Sequence, residues 1–173
     1  MIDISIIGLG SMGQNHLRAL SELKNVNVKF LYDYDYNKVK RLTLRYNVRW
    51  ARNLKEISDN SDAVIISSPT KTHYKYLKFF LKTKINIFVE KPIVSNFKEI
   101  IKLKKIIKKR KIQCGFIERF NDVTPIIQKF AKKANVVSID FKRTDKLSQR
   151  IKDVDVIHDL MIHDIDLAVF WNG

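Results

Sequence analysis

The chain opens on Ile2-Asp3-Ile4-Ser5-Ile6-Ile7, a mostly apolar run that leads directly into Gly8-Leu9-Gly10-Ser11-Met12-Gly13. A short apolar run closed by glycine predicts a buried strand and a tight turn. Over residues 11–24 the period lengthens, with Leu17, Leu20 and Leu23 at helical spacing and Ser11 as a candidate cap. Alternation returns over residues 26–32 and predicts a second strand that ends at Asp33. Residues 37–46 then read as a helix, 48–50 as a short strand, and 53–58 as a helical turn with Leu54 and Ile57 inward. Ala63-Val64-Ile65-Ile66 is continuously apolar and is closed by Ser67-Ser68-Pro69, the pattern of a parallel strand buried on both faces.

The same rhythm continues through residue 116. Residues 70–82 predict a helix with Tyr74, Leu77, Phe80 and Leu81 buried and His73 in its first turn. Residues 85–89 predict a strand that stops at Glu90-Lys91-Pro92. The next helix covers residues 98–111, where Phe97, Ile100, Ile101, Leu103, Ile106 and Ile107 form its apolar side, and residues 112–116 predict a sixth strand. Repeated alternation of strand and helix predicts an α/β fold, a Rossmann-type doubly wound parallel sheet complete by residue 120. Beyond it, residues 123–133 read as a helix, 136–142 as a strand with Ile139 and Phe141 on one face, and 156–171 as a helix ending at Asn172-Gly173. Residues 121–173 thus read as an α+β segment beyond the sheet.

Composition narrows the class. Of 173 residues, 45% are hydrophobic and 10% aromatic, ordinary for a globular protein, and no apolar run approaches the roughly 20 residues of a membrane helix. Met1 leads straight into the first strand with no signal-peptide pattern, so the expected location is cytoplasmic, without membrane attachment. The one cysteine, Cys114, cannot form an internal disulfide and lies in an apolar stretch, where a buried thiol is expected. A net charge of +15 raises nucleic-acid binding, yet lysine and arginine are spread along the chain and the densest run lies on an amphipathic helix. No basic-aromatic interleaving accompanies them, so no nucleic-acid partner is expected.

The strand–G-x-G-x-x-G–helix order is a dinucleotide fingerprint, in which Gly8 permits the turn, Gly10 lets the backbone approach a pyrophosphate, and Gly13 lets helix and strand pack closely. Asp33, at the end of the second strand, is placed to accept the ribose hydroxyls and repel a 2′-phosphate, which favours NAD over NADP; it also reads as a plain strand end. Lys91 stands at the carboxyl end of a central strand, where α/β sheets bind ligands, and has the alternative of a solvated terminus. Asp159, His163 and Asp166 fall on one stripe of the last helix. That stripe reads as solvated, as a base with an orienting carboxylate, or as metal ligands with His158; no further ligand cluster accompanies it, and no metal is expected.

Taken in order, Gly8-Leu9-Gly10-Ser11-Met12-Gly13, Ser68-Pro69-Thr70-Lys71-Thr72-His73, Glu90-Lys91-Pro92-Ile93, Glu118-Arg119-Phe120-Asn121 and Asp159-Leu160-Met161-Ile162-His163 resemble the Gfo/Idh/MocA oxidoreductases. Within that family, residues 117–121 and 150–159 are most similar to members acting as UDP-N-acetylglucosamine 3-dehydrogenases. The resemblance implies oxidation of a secondary hydroxyl of a sugar or UDP-sugar, at C3 of a UDP-N-acetylhexosamine, or of another polyol such as inositol. It implies Lys91 and His163 about the reacting carbon, in either assignment of base and donor, with Asp159 supporting them. Gly8, Gly10, Ser11, Met12, Gly13, Asp33, Ser67, Pro69, Thr70, His73, Glu90 and Lys91 would meet NAD, and Arg119, Asn121 and Arg150 the substrate, with Arg143 a further candidate for a diphosphate. Family members continue into an open sheet that completes the substrate domain and commonly supplies a homo-oligomeric interface, so residues 121–173 read as a truncated start of that domain. The alternative is a dinucleotide-binding module without turnover of its own.

Overall fold

A computed structural model of the protein describes residues 1–107, 112–144 and 155–172. Contacts divide the chain into two compact units, Met1–Cys114 and Gly115–Gly173.

In the first unit, strands β1 (Ile2–Ile7), β2 (Val26–Tyr32), β3 (Arg49–Trp50), β4 (Ala63–Ile66), β5 (Asn86–Val89) and β6 (Ile112–Cys114) form a six-stranded parallel sheet in the order β3-β2-β1-β4-β5-β6. Between them run helices α1 (Ser11–Ser21), α2 (Tyr36–Tyr46), α3 (Leu54–Asn60), α4 (Thr70–Phe80) and α5 (Phe97–Ile107). The order reverses direction at β1, because the chain first builds outward through β2 and β3 and then returns to place β4 on the other side. A doubly wound sheet opens a crevice above that reversal, at the carboxyl ends of the strands.

Period-two alternation sorts neighbouring residues onto opposite faces. Ile6 and Ile65 join Leu17 of α1 and Val39 and Leu42 of α2 in one buried cluster. Ile7, Val64 and Ile66 join Ile57 of α3, Leu77 and Phe80 of α4 and Leu103 of α5 in the other. Burial on both faces is why β4 is uninterruptedly apolar, and its Val64 and Ile66 are fully enclosed. Asn53 caps α3 by accepting from the Glu56 amide at 2.9 Å, and Asp35 caps α2 in the same way from Lys38 at 3.1 Å.

Some expected boundaries shift. Helix α1 stops at Ser21, so Leu23 falls outside it and is exposed, and Gly10 rather than Ser11 occupies its N-cap without a side-chain cap bond. On α5, Leu103 is buried while Phe97 and Ile101 are exposed, so the apolar stripe is narrower than its composition suggests. Cys114 is buried, as its surroundings predict. No helix among the described residues is long and apolar enough to cross a membrane.

The second unit contains a 3-10 turn (Ile117–Phe120), helix α6 (Thr124–Ala131), a π-helical turn (Ile157–Met161) and helix α7 (Ile162–Asn172). The strand expected over residues 136–142 does not form. Alternation makes a segment compatible with a sheet, but a strand exists only when a neighbour completes its ladder, and no described segment pairs with this one. Its Phe141 instead stacks on Trp171 of α7, ring centroids 5.9 Å apart and planes 9° from parallel, while the Trp171 indole N–H is buried without a hydrogen-bond partner among the described residues.

Candidate functional site

A row of backbone hydrogen bonds aligns the carboxyl ends of four neighbouring strands. Gly8 N–H donates to Tyr32 O, Ser67 N–H to Ile7 O and Glu90 N–H to Ile66 O, at 2.9, 2.8 and 2.9 Å. The glycine turn, Asp33, Ser67 and the Glu90–Pro92 turn are thereby brought to one edge of the first unit.

Sterics decide what that edge can hold. Gly8 has φ +87°, and a Cβ there would lie 2.4 Å from Ser68 N; a Cβ on Gly13 would lie 1.9 Å from Gly8 O. Both positions need glycine because protein already fills the space. Gly10 is different, since a Cβ built on it meets nothing within 4 Å. The open space at Gly10 faces the uncapped N-terminus of α1, whose first-turn amides and dipole suit a phosphate. These residues fit a dinucleotide pyrophosphate, with Ser11 and Met12 exposed beside it.

The turn is braced on both sides. Asp33 Oδ2 accepts from Leu9 N–H at 2.7 Å and Oδ1 from Asp35 N–H at 2.9 Å. Each carboxylate oxygen has a second lone pair, so Asp33 retains capacity for ribose hydroxyls. Ser67 Oγ donates to Gly8 O at 2.8 Å, holding the turn where a cofactor must pass. Gln14 Nε2 supports Leu9 O at 3.0 Å. Burial, with Tyr32, Asp33 and Tyr34 nearby, pushes the Tyr76 phenol above its ordinary pKa.

On the α4 side, Pro69 is the exposed N-cap of the helix and Thr70 is buried in its first turn. His73, expected to line the cleft, is 1% exposed; Nδ1 lies 2.9 Å from Pro92 O and Nε2 2.7 Å from Ser68 O. Carbonyl oxygens only accept and a neutral imidazole carries one N–H, so the tautomer decides which of the two turns the ring fastens. Lys91 is half-buried, in a cis Lys91–Pro92 turn, and follows Glu90, which is 6% exposed. The Glu90 carboxylate meets His16 Nε2 at 2.7 Å. His16 lies outside the glycine fingerprint, and its one sequence signal is a polar residue beside Leu17, three positions after Gly13, toward the buried side of α1.

In the second unit, His163 and Asp166 are buried, at 7% and 8% exposure, so the stripe on α7 faces inward and is not a solvated face. Asp159 lies in the π-helical turn and is half-buried, with its N–H on Asp155 O at 3.0 Å. The wider π turn ends at Met161, so the α-helical spacing assumed between Asp159 and His163 holds only from Ile162 onward. His163 packs edge-on to Phe116, with 6.5 Å between centroids.

The substrate candidates behave differently. Arg119 bonds Asp166 through Nε and a terminal nitrogen, at 2.7 and 2.5 Å, and its guanidinium lies over Phe116 and Phe170, 5.5 and 5.0 Å from their centroids. Arg143 bridges Glu118 at 3.0 Å and Asp164 at 2.9 Å, and these carboxylates, Asp164 foremost, hold its pKa above the usual arginine value. Asn121 Oδ1 accepts from Val123 N–H at 3.1 Å and shapes the entry to α6. Arg150 lies outside the described residues, as does the His158 side chain. No cluster that could hold a metal ion occurs among the described residues.

The sheet order and the glycine cradle define a dinucleotide-binding Rossmann protein. A family model described as oxidoreductase family, NAD-binding Rossmann fold, matches residues 2–117, and the chain belongs to that family, Gfo/Idh/MocA. The UDP-N-acetylglucosamine 3-dehydrogenase of Acidithiobacillus ferrooxidans is 27% identical over 97% of this chain and 53% of its own length. A myo-inositol 2-dehydrogenase from Lactobacillus plantarum, of known structure, superposes with a TM-score of 0.83 at 26% identity, over 98% of this chain and 56% of that one. The myo-inositol dehydrogenase of Lactobacillus casei, solved with NAD(H) and myo-inositol, shares the fold at a TM-score of 0.86 and 19% identity, over 99% and 54% of the two chains. The chain thus spans about half the length of the relatives it matches.

Two stability experiments separate the roles assigned above. Gly13→Ala should cost more than about 3 kcal/mol in chemical denaturation, since backbone would have to move. Gly10→Ala should cost no more than about 1 kcal/mol, because its Cβ meets no protein atom, yet weaken NAD binding at least about tenfold by calorimetry. In the second unit, Arg119→Ala should destabilise by about 2 kcal/mol, less than a fully buried pair because the arginine side chain is 34% exposed. Arg119→Lys should recover little of it, lacking the planar fork.

Proposed function

We propose that this protein is an NAD-dependent dehydrogenase that oxidises a secondary hydroxyl of a cyclic polyhydroxylated substrate, C3 of a UDP-N-acetylhexosamine being the first substrate to test. Residues 1–120 serve as the cofactor domain in this reading, and residues 121–173 open the substrate domain. The observation that carries it is Lys91, at the carboxyl end of β5, on the same strand-end row as the open cradle at Gly10. The A. ferrooxidans relative supports the nucleotide-sugar assignment.

Removing hydrogen from a secondary alcohol requires a base for the hydroxyl proton and a donor for the oxygen as charge develops. His163 is assigned as the base that takes the hydroxyl proton, Lys91 as the hydrogen-bond donor to the oxygen while charge develops there, and Asp159 as the carboxylate that supports them. Bound NAD would supply the acceptor for the hydrogen on carbon. The glycine turn and helix would seat its pyrophosphate and Asp33 its adenosine ribose, and Glu90, with β5 on the opposite side of β1 from β2, would lie near the nicotinamide ribose.

A second reading is favoured by the arginines. Arg119 and Arg143 are committed to carboxylates, so neither guanidinium is presented to a diphosphate. An uncharged ring polyol such as inositol needs neither, and the L. plantarum neighbour is an inositol dehydrogenase.

Steady-state NADH formation with UDP-N-acetylglucosamine and with myo-inositol decides between the two. Lys91→Ala and His163→Ala should each lower kcat/KM by about 10²–10⁴ on the true substrate while still binding NAD. Tight NAD binding with no turnover of any sugar or inositol would leave a binding module and overturn the dehydrogenase reading. Asp33→Asn should narrow the preference for NAD over NADP by about tenfold, because the charge that repels the 2′-phosphate is removed.

A further inference from the structure

Lys91 stands in a turn whose two neighbours are each held by a histidine from a different helix. Glu90 is taken by His16 of α1 at 2.7 Å, and the Pro92 carbonyl by His73 of α4 at 2.9 Å. The His16 contact is the more informative of the two. His16 meets both Phe88 of β5 and Glu90 just beyond its end: its ring lies edge-on to Phe88, 5.2 Å between centroids, and its Nε2 reaches the Glu90 carboxylate. Glu90 is almost enclosed, and a buried carboxylate without a partner is costly, so the carboxylate follows where His16 holds it.

Helix α1 therefore has two attachments. Its first turn carries the cradle at Gly10 and Gly13, and its middle turn carries His16. We propose that His16 is a positioning residue, which by holding the Glu90 carboxylate fixes the turn that presents Lys91, so that the helix seating the pyrophosphate also sets the place of Lys91. This rests on the dehydrogenase reading for the meaning of Lys91, while the mechanical claim concerns the protein alone. His73 completes the support from the far side, but at 1% exposure its loss would disturb the core as well. His16, with 20% of its side chain exposed, separates placement from folding.

The experiment compares the wild type, His16→Ala and His16→Gln in two measurements. In the first, calorimetry gives affinities for NAD and for ADP, which keeps the adenosine and pyrophosphate of NAD and lacks both nicotinamide and its ribose. His16→Ala should weaken NAD about tenfold and leave ADP within about twofold, since the adenosine and pyrophosphate contacts lie elsewhere. In the second, lysines of the ligand-free protein are reductively methylated with ¹³C, and the Lys91 signal is assigned by its absence in Lys91→Arg. His16→Ala should shift or broaden that signal, and His16→Gln, whose amide N–H can still reach Glu90, should restore both the signal and the NAD affinity. Parallel weakening of NAD and ADP, or an unmoved Lys91 signal in His16→Ala, overturns the positioning role. Should the wild type bind no NAD, the dehydrogenase reading falls, and the Lys91 signal still judges the role of His16.

Discussion

The close approach of the glycine turn to the end of β4 is the constraint on which the first unit depends. Gly8 leaves no room for a side chain against Ser68, and Gly13 none against Gly8 itself, so α1 starts as near to β1 as backbone permits. Ser67 uses that proximity to bond the Gly8 carbonyl, and Asp33 bonds the next amide from the β2 side. Strand ends are tied in sequence, and the helix they launch has its first amides beside the open space at Gly10. Packing and ligand geometry are therefore the same fact in this region. The sheet below adds rigidity because its central strands are enclosed on both faces.

Three buried polar side chains follow one logic. Glu90 is matched by His16, His73 by two carbonyls, and Asp166 by a guanidinium fork between two phenylalanines. The two ion pairs join elements far apart in sequence, 74 residues for His16 and Glu90 and 47 for Arg119 and Asp166. Such pairs define geometry more than they add net stability, because desolvating the partners offsets much of their attraction. They occur where a particular side chain has to be held in a particular place.

The fold was legible because its signals are local. Glycine spacing, the uninterrupted Ala63–Ile66 run and the alternation in Val26–Tyr32 each depend on neighbours a few residues away, and the sheet follows from them. What stayed hidden was decided by distant partners. Nothing near Arg119 in sequence announces Asp166, so a guanidinium that could have met a phosphate is instead engaged within the protein. The segment over residues 136–142 has the pattern of a strand and lacks only a neighbour to pair with among the described residues. His16 could have been found from its place beside Leu17, since a polar group on the buried side of a helix asks for a partner.

The stacked Phe141–Trp171 pair has a practical consequence. The chain carries two tryptophans, Trp50 in the first unit and Trp171 in the second, in unlike surroundings. Trp50 is 47% exposed and meets Tyr36 edge-on, whereas the indole N–H of Trp171 is shut away from water beneath its stacked ring. Emission from the first should be the redder and the more readily quenched by a soluble quencher, and that from the second bluer and shielded. With either one replaced by phenylalanine, the other becomes a built-in optical gauge of its own unit, and the order in which the two halves come apart can be read without any label.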